Sequence, residues 1–478
     1  LIFHDVLLLK ESLAASLTAV LLYALTREEL DRRWWPWLGT GVVWGLVSLL
    51  RENAVLLLPI LALLIWIRRK SWRGLGAALG GLLLGFSLVI APFVLRSLAL
   101  TGSPLPTHNA GFNFYIGNNP EASGTYRSIV AGKTTPEAES REPIRLASRL
   151  AGGRLTPQEA SRFWLARSLR WMAAEPGEFL LLQLRKLGLF WRFYEWPDAV
   201  DYYWIEKRSP PLRGAFVEFG ALAVLAVSSL WFLRRRLRLW APILLLVVGW
   251  TLATIAFFVF SRFRIPMLPA LCLLAGVPLV RWYRALSSRR RAVSILGGLG
   301  IAGALLFPHL LGFEPNRQLV AYNLGGIYSS RDQPERARTQ YLIALDEAPE
   351  NPLPLLRLGD LAFRGGDLAR AVSWYRRATE VAPDSDDAWA LYGRSLVFRG
   401  RFDEAREPLE RSLSLNRGNI TALHGLGLLA LTREDLDEAR RIRNRIRTVS
   451  PGHPAARHLA ARIETRQENP PREPPGVR

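Results

Sequence analysis

The sequence contains very little cysteine: Cys272 is the single one among 478 residues. This excludes a secreted module held together by disulfides and leaves no thiolate cluster for a metal. The six histidines are scattered without the spacing of a zinc site, and no glycine-rich phosphate-binding loop is present. The sequence therefore argues against a zinc centre and against nucleotide hydrolysis.

Acidic residues are in deficit, since 41 Asp and Glu face 62 Lys and Arg and give a formal net charge of +21. Half of the chain is apolar and the apolar residues come in blocks, which excludes a disordered polybasic chain. The basic excess lies in residues 1–312, because residues 313–478 hold 26 basic and 23 acidic residues. Arginine clusters between apolar blocks indicate membrane orientation and not nucleic-acid binding.

Apolar stretches near the length of a membrane-spanning helix, about 20 residues, predict eight spans. They lie near 6–25, 38–50, 53–67, 74–95, 212–233, 239–259, 264–283 and 292–311. Sixteen basic residues fall in four short connections, which the positive-inside rule makes cytoplasmic. The long segment 97–211, the connection 261–266 and everything after 312 are then expected outside the cytoplasm. Within 97–211 we predict a helix at 157–174 and an interfacial helix at 178–194.

From 318 to 453 the chain repeats with a period of 34. The repeated small residues are Gly325, Gly359, Gly393 and Gly427, and Ala337, Ala371, Ala405 and Ala439. This pattern resembles the tetratricopeptide repeat, in which small residues let two antiparallel helices pack closely. We expect four units, a capping helix at 454–467 and a disordered proline-rich tail at 468–478. The predicted fold is all-α, a polytopic membrane domain (1–312) followed by a repeat solenoid (313–467).

Charged side chains at span ends are candidate functional residues, because charge is costly in hydrocarbon. Arg262 and Arg264, two positions apart, can bind a phosphate with forked hydrogen bonds or meet lipid headgroups. Glu11 can accept a proton or hold a divalent ion, or it can form an interfacial pair with Lys10. The break at Arg51-Glu52 is tolerated where it lines a cavity or is buried in protein.

Acids, aromatics and amides in the outside segment form a second group of candidates. Glu195, Asp198 and Tyr202 combine carboxylates with an aromatic surface that can stack on a sugar or anchor the chain at the interface. Asn118 and Asn119 can hydrogen-bond sugar hydroxyls, although Asn-Asn-Pro is also ordinary turn chemistry, which we favour.

Residues 1–312 resemble the multi-pass glycosyltransferases of the protein mannosyltransferase and aminoarabinose transferase type. The segments that carry the resemblance are 9–13 (LKESL), 50–54 (LRENA), 112–126, 195–198 (EWPD) and 262–266 (RFRIP). The resemblance implies transfer of a sugar from a polyprenyl-phosphate-linked donor to a protein, lipid or glycan acceptor outside the cytoplasm. The protein is then expected in a bacterial inner membrane, surrounded by lipids, with extracytoplasmic repeats that bind a protein partner or acceptor.

The resemblance also implies roles for residues. Asp5 and Glu11 would be catalytic and lie near the acceptor or a metal. Donor phosphate would be bound by Arg262, Arg264, Arg51, Lys10 and Lys186, and sugar or acceptor by Asn118, Asn119, Glu195, Asp198 and Tyr202. The acidic motif of the family lies in its first outside loop, and this sequence begins beyond that point. We therefore expect the main catalytic aspartate upstream of Leu1, and an N-terminally truncated chain that can be inactive.

Two other classes of function remain open from the sequence. The first is a ligase or polymerase of lipid-linked polysaccharide, which should have an outside loop rich in arginine and histidine, whereas His108 is the single histidine of 97–211. The second is a non-catalytic membrane scaffold whose repeats carry the function. The scaffold predicts that the outside-facing arginines and glutamates can be replaced without effect.

Overall fold

The computed structural model describes residues 10–27, 30, 33–102, 109–126, 136–195, 201–210, 218–286, 297, 300, 303 and 316–468. Within these ranges the chain forms helices joined by turns, and no strand occurs among them. The chain divides into two compact units, the second of which contains residues 316–468. The predicted all-α class is confirmed.

Residues 10–286 form twelve described α-helices and two 3₁₀ segments. The helices are α1 Glu11–Thr26, α2 Pro36–Leu50, α3 Leu58–Arg69, α4 Trp72–Thr101, α5 Ala110–Gly117, α6 Pro136–Leu150, α7 Pro157–Ala174, α8 Pro176–Phe190, α9 Tyr202–Glu206, α10 Phe219–Leu233, α11 Leu237–Ile255 and α12 Leu268–Leu286. The 3₁₀ segments, Glu52–Leu57 and Ser261–Met267, lead directly into α3 and α12. The segment 97–211, predicted as a long connection, is thus largely helical where it is described.

Three helical stretches are long and apolar enough to cross a membrane, by length and composition, among the described residues: Trp72–Leu100, Leu237–Ile255 and Ser261–Ala285. The helices α1, α2 and α10 are apolar but shorter. Membrane-crossing character is therefore supported at three of the eight predicted positions. The predicted stretch 292–311 lies outside the described residues, apart from three isolated positions.

Helices α2 and α4 approach each other at glycines on both sides. A Cβ atom built on Gly41 would lie 2.0 Å from the carbonyl oxygen of Leu82, and one built on Gly85 would lie 2.0 Å from that of Leu38. Such spacing of small residues lets two helix backbones come close, as in packed membrane helices. These glycines therefore set the contact between the two helices.

Between residues 316 and 468, the second unit forms four helix pairs and a final helix. Its helices are α13 Arg317–Ser330, α14 Pro334–Glu347, α15 Pro352–Arg364, α16 Leu368–Val381, α17 Asp386–Phe398, α18 Phe402–Leu415, α19 Ile420–Thr432, α20 Leu436–Val449 and α21 Pro454–Glu468. We call the first helix of each pair inner (α13, α15, α17, α19) and the second outer (α14, α16, α18, α20). The side chains of Asn316, Asn351, Ser385 and Asn419 each accept a backbone N–H and cap an inner helix.

The repeated glycines lie where the two helices of a pair meet. A Cβ on Gly325 would meet the ring of Tyr341 at 2.5 Å, and one on Gly359 would meet Tyr375 at the same distance. In the third pair, a leucine (Leu409) takes the place of the tyrosine. The buried apolar residues of the repeats form two clusters. The first cluster contains Tyr341 and Tyr375, and the second contains Leu409.

Candidate functional site

Glu11 and Arg51, both predicted as site residues, form a buried ion pair. Their side chains are 1% and 7% exposed, and an Nη2 nitrogen of Arg51 donates to Oε1 of Glu11. The carboxylate comes from the start of α1, and the arginine ends α2 in an extended conformation. Two predicted site residues that are 40 positions apart in sequence are thus in direct contact.

Other predicted phosphate ligands surround this pair. The guanidinium groups of Arg51 and Arg262 lie 5.1 and 5.6 Å from the ring centroid of Phe263. Lys10 interacts electrostatically with both arginines and with Glu11. The structure therefore brings Lys10, Glu11, Arg51 and Arg262 into one cluster.

Arg264 is nearly fully buried and has other partners. It donates to the backbone oxygens of Arg192 and Tyr194 at 2.8 and 2.9 Å. Its Nη2 also lies 3.6 Å from Oε2 of Glu195, which is 20% exposed. These contacts tie the end of α8 to the 3₁₀ segment Ser261–Met267, so Arg264 has a structural role whatever else it binds.

Lys186 and Asn118 form a third polar contact, on α8 and after α5. The Lys186 Nζ donates to Oδ1 of Asn118 at 2.9 Å and to the oxygen of Ile255 at 3.1 Å. Burial lowers the pKa of Lys186 to about 7. Asn118 in turn donates from Nδ2 to the oxygen of Ala256 at 2.9 Å. Both side chains therefore satisfy buried polar groups where α5, α8 and α11 meet.

Of the remaining predicted residues, the structure describes Asn119 and Tyr202. Asn119 donates to the oxygen of Tyr115 and accepts from the N–H of Glu121, which is the turn chemistry we favoured. Tyr202 lies on α9, and burial raises its pKa. Asp5 and Asp198 lie outside the described residues. The predicted catalytic, phosphate and sugar roles stay predictions, and no metal-binding group of three or more His, Cys, Asp or Glu occurs in the part of the chain that the structure describes.

A groove of about 680 Å³ lies on the inner helices of the second unit. It is lined by Tyr322, Asn323, Gly326, Ser329 and Ser330 from α13, by Arg357, Asp360, Phe363 and Arg364 from α15, by Arg394 from α17, and by Tyr341 from α14. The sequence analysis did not single out this groove, because it relied on positions where the same residue type recurs in each repeat. Equivalent positions that change in residue type from one repeat to the next could have indicated it. Gly326, Asp360 and Arg394 are such positions, spaced 34 residues apart.

The carboxylate of the groove, Asp360, is paired within the unit. Tyr375 donates from Oη to Oδ1 of Asp360 at 2.8 Å, and Arg357 donates from Nη1 to Oδ2 at 3.2 Å. Arg357 also donates from Nε to the hydroxyl of Tyr322 at 3.3 Å. This network fixes Arg357 and leaves its charge largely offset.

Farther along the array, two histidines meet. Nε2 of His424 on α19 lies 3.0 Å from Nδ1 of His458 on α21. Burial, with the positive charges of His458, Arg394, Arg462 and His453, lowers the pKa of His424 to about 4. The fold therefore holds His424 in its neutral form.

We expect the second unit to lose stability as the pH falls from about 6.5 to about 4. An unfolded histidine has a pKa near 6.5, so between these values the unfolded chain binds more protons than the folded one. The contribution of His424 is fully present above pH 6.5 and is lost as the pH falls through its folded pKa. Thermal melting of the full chain and of His424→Gln across this range measures it, and equal pH slopes in both proteins would contradict it.

The family model for the tetratricopeptide repeat matches residues 322–388 and 391–454. The chain is 30% identical over 112 residues to the Arabidopsis thaliana "Protein CTR9 homolog", and the matched segment is 23% of this chain and 10% of that protein. It is 28% identical over 120 residues to the Bos taurus "BBSome complex member BBS4", and that segment is 25% of this chain and 23% of the relative. This chain thus spans about a tenth to a quarter of the length of the curated relatives it matches.

Solved structures resemble the chain in part. YrrB, described as a TPR protein with an unusual peptide-binding site, is 19% identical with a TM-score of 0.28, over 41% of this chain and 92% of that one. A chain of the APC/C hetero-tetramer Cut9-Hcn1 is 14% identical with a TM-score of 0.29, over 92% and 85%. Both TM-scores are low.

The prediction of a polyprenyl-phosphate-dependent glycosyltransferase is wrong by these comparisons. The family model that matches describes repeats, and no matching family or relative supports a glycosyltransferase domain. The findings fit the non-catalytic repeat scaffold better, which the sequence had left as an alternative. The period of 34, the paired helices and the family match agree with one another, and the C-terminal region of this chain consists of tetratricopeptide repeats.

Proposed function

We propose that this chain is a non-catalytic scaffold, anchored in a membrane through its apolar helices, whose repeats bind a protein partner in the groove on α13, α15 and α17. The observation that carries the proposal is the groove itself. Three consecutive inner helices supply its lining, and that lining is polar, aromatic and cationic. A surface of this kind fits an extended protein segment, whose backbone needs donors and acceptors and whose side chains need pockets.

The first unit supports the anchoring part of the proposal. Its three long apolar stretches are sufficient in length to span a hydrocarbon core. Many of their large apolar side chains are exposed in the folded unit, including Leu84, Leu88 and Leu95 of α4 at 50%, 60% and 65%. Exposed apolar area on this scale is costly in water and favourable in lipid.

Site-specific crosslinking tests partner binding in the native cells. We expect a photoreactive amino acid at Tyr322, in the groove, to yield a discrete protein adduct, because it would lie beside the bound segment. The matched control places the same group at Ile343, which is 41% exposed on the outer helix α14. Adducts of equal yield from both positions, or no adduct from Tyr322, would rule the groove out as the binding surface.

A further inference from the structure

We propose that the occupant of the groove is an acidic protein segment, held by the guanidinium groups of Arg364 and Arg394. This inference rests on the proposed function and adds the chemistry of the partner. It follows from how charge is distributed between the inner and outer helices, from which groove charges are already paired, and from the hydrogen-bond donors that stay available.

The two layers of the repeats carry different mixtures of charge. The outer helices carry twelve basic and ten acidic residues, whose charges largely offset one another. Beyond their first turns, the inner helices carry three arginines and a single acidic residue, Asp360. The repeat half of the chain is close to neutral as a whole, yet the surface that lines the groove is cationic. A cationic groove attracts segments of opposite charge.

Asp360 does not offset the other arginines of the groove. Both of its carboxylate oxygens accept hydrogen bonds, from Tyr375 and from Arg357. Among the described residues, neither Arg364 nor Arg394 forms an ion pair with a carboxylate. Their positive charges therefore face the groove without an acidic partner from the repeats.

The two arginines are held in place and keep donors available. Arg364 donates from Nη2 to the hydroxyl of Ser329 at 2.8 Å, which fixes its side chain across α13. Arg394 lies 5.0 Å from the ring centroid of Phe363, and its buried Nε has no hydrogen-bond partner among the described residues. A carboxylate in the groove that accepts from the two Nη nitrogens of Arg394 would make a forked contact.

The same features favour a protein segment over a nucleic acid. A nucleic acid carries a charge at every phosphate, and its binding proteins commonly neutralise about six to ten of them. This groove offers two arginines whose charge is not offset, together with the hydroxyls of Tyr322, Ser329 and Ser330. That proportion suits a peptide backbone with a few carboxylates.

Fluorescence anisotropy with the full chain in detergent micelles tests the proposal. The probe is a labelled ten-residue glutamate-rich peptide, compared with the same peptide carrying glutamine. We expect the glutamate peptide to bind more tightly, and Arg364→Gln/Arg394→Gln to weaken its binding at least tenfold, because two charge-assisted contacts are lost. The matched control, Arg376→Gln/Arg411→Gln, removes the same charge from the outer helices α16 and α18 and should leave binding unchanged.

Three results would overturn the proposal: equal affinity for both peptides, equal weakening by the two double variants, or tighter binding of a ten-residue oligothymidylate than of the acidic peptide. Circular dichroism shows whether each variant is folded, and single variants replace any double variant that is not. The proposed function is tested separately, by crosslinking from Tyr322 in the Arg364→Gln/Arg394→Gln variant. If the adduct persists there, a protein partner still binds in the groove, and the proposal that the bound segment is acidic is wrong.

Discussion

Replacing Glu11 with leucine is expected to lower the free energy of unfolding of the first unit by about 3–5 kcal/mol. The substitution leaves the guanidinium of Arg51, which is 7% exposed, without the Glu11 carboxylate in a buried environment. Breaking a buried pair from one side costs far more than its net contribution, because the charge that stays behind has lost its main compensation. Unfolding in detergent, followed by the fluorescence of the 17 tryptophans, measures the change.

The double variant Glu11→Leu/Arg51→Leu distinguishes the interaction within the pair from the interactions of each residue with its other neighbours. Because it removes both charges, we expect it to recover most of the stability that Glu11→Leu loses. Glu52→Leu serves as the control, since this carboxylate is exposed and one position from Arg51. The single variant Arg51→Leu completes the comparison. If the stability lost by the double variant equals the sum of the losses in Glu11→Leu and Arg51→Leu, Glu11 and Arg51 are not coupled.

The second large effect is expected at the contact of α2 and α4. Gly85→Ala places a Cβ atom 2.0 Å from the backbone oxygen of Leu38, so the two helices must move apart. Overpacking of this kind typically costs about 1–3 kcal/mol, and a backbone atom cannot move aside as a side chain does. The same unfolding measurement in detergent reports the loss.

Gly76→Ala is the matched control for this prediction, because it adds the same methyl group to the same helix with nothing within 4 Å. We expect Gly76→Ala to be neutral or stabilising by up to about 1 kcal/mol, since alanine favours a helix over glycine. If Gly85→Ala and Gly76→Ala have the same stability, the close approach of α2 and α4 does not limit the fold.

The repeats were predictable because their signal is periodic. Glycines and alanines recur every 34 residues at places where the helices of a pair touch, and the structure has Tyr341 and Tyr375 directly over Gly325 and Gly359. The break at Arg51 was also predictable, because a charged pair interrupts an apolar run there. In the structure α2 ends at Leu50, and a 3₁₀ segment leads into α3.

The contacts between distant residues were not predictable from a single sequence. Nothing in residues 9–13 indicates that Glu11 pairs with Arg51, and nothing near Asn118 indicates that it accepts from Lys186, 68 positions away. Helix ends were also not predictable from mean hydropathy, since α1, α2 and α10 are apolar but shorter than a membrane span in the described part of the chain.

The functional prediction failed for a related physical reason. It relied on short polar motifs at helix ends, and such motifs also serve to satisfy buried backbone groups. Arg264 donates to two backbone oxygens and Asn118 to two more, so residues that resembled ligand contacts hold loops against helices. The groove is lined by positions of the inner helices whose residue type differs between repeats, so the period of 34 did not indicate them.

Helix α17 belongs to both apolar clusters of the repeats, because Ala388 packs in the first cluster and Ala390, Leu396 and Val397 pack in the second. In a solenoid each helix pair contacts its neighbours alone, so local opening starts at the ends of the array. The amide protons of α17 should therefore be among the last of the repeats to exchange with solvent. Fraying from α13 or from α21 would then halt at the same helix, the one that carries Arg394.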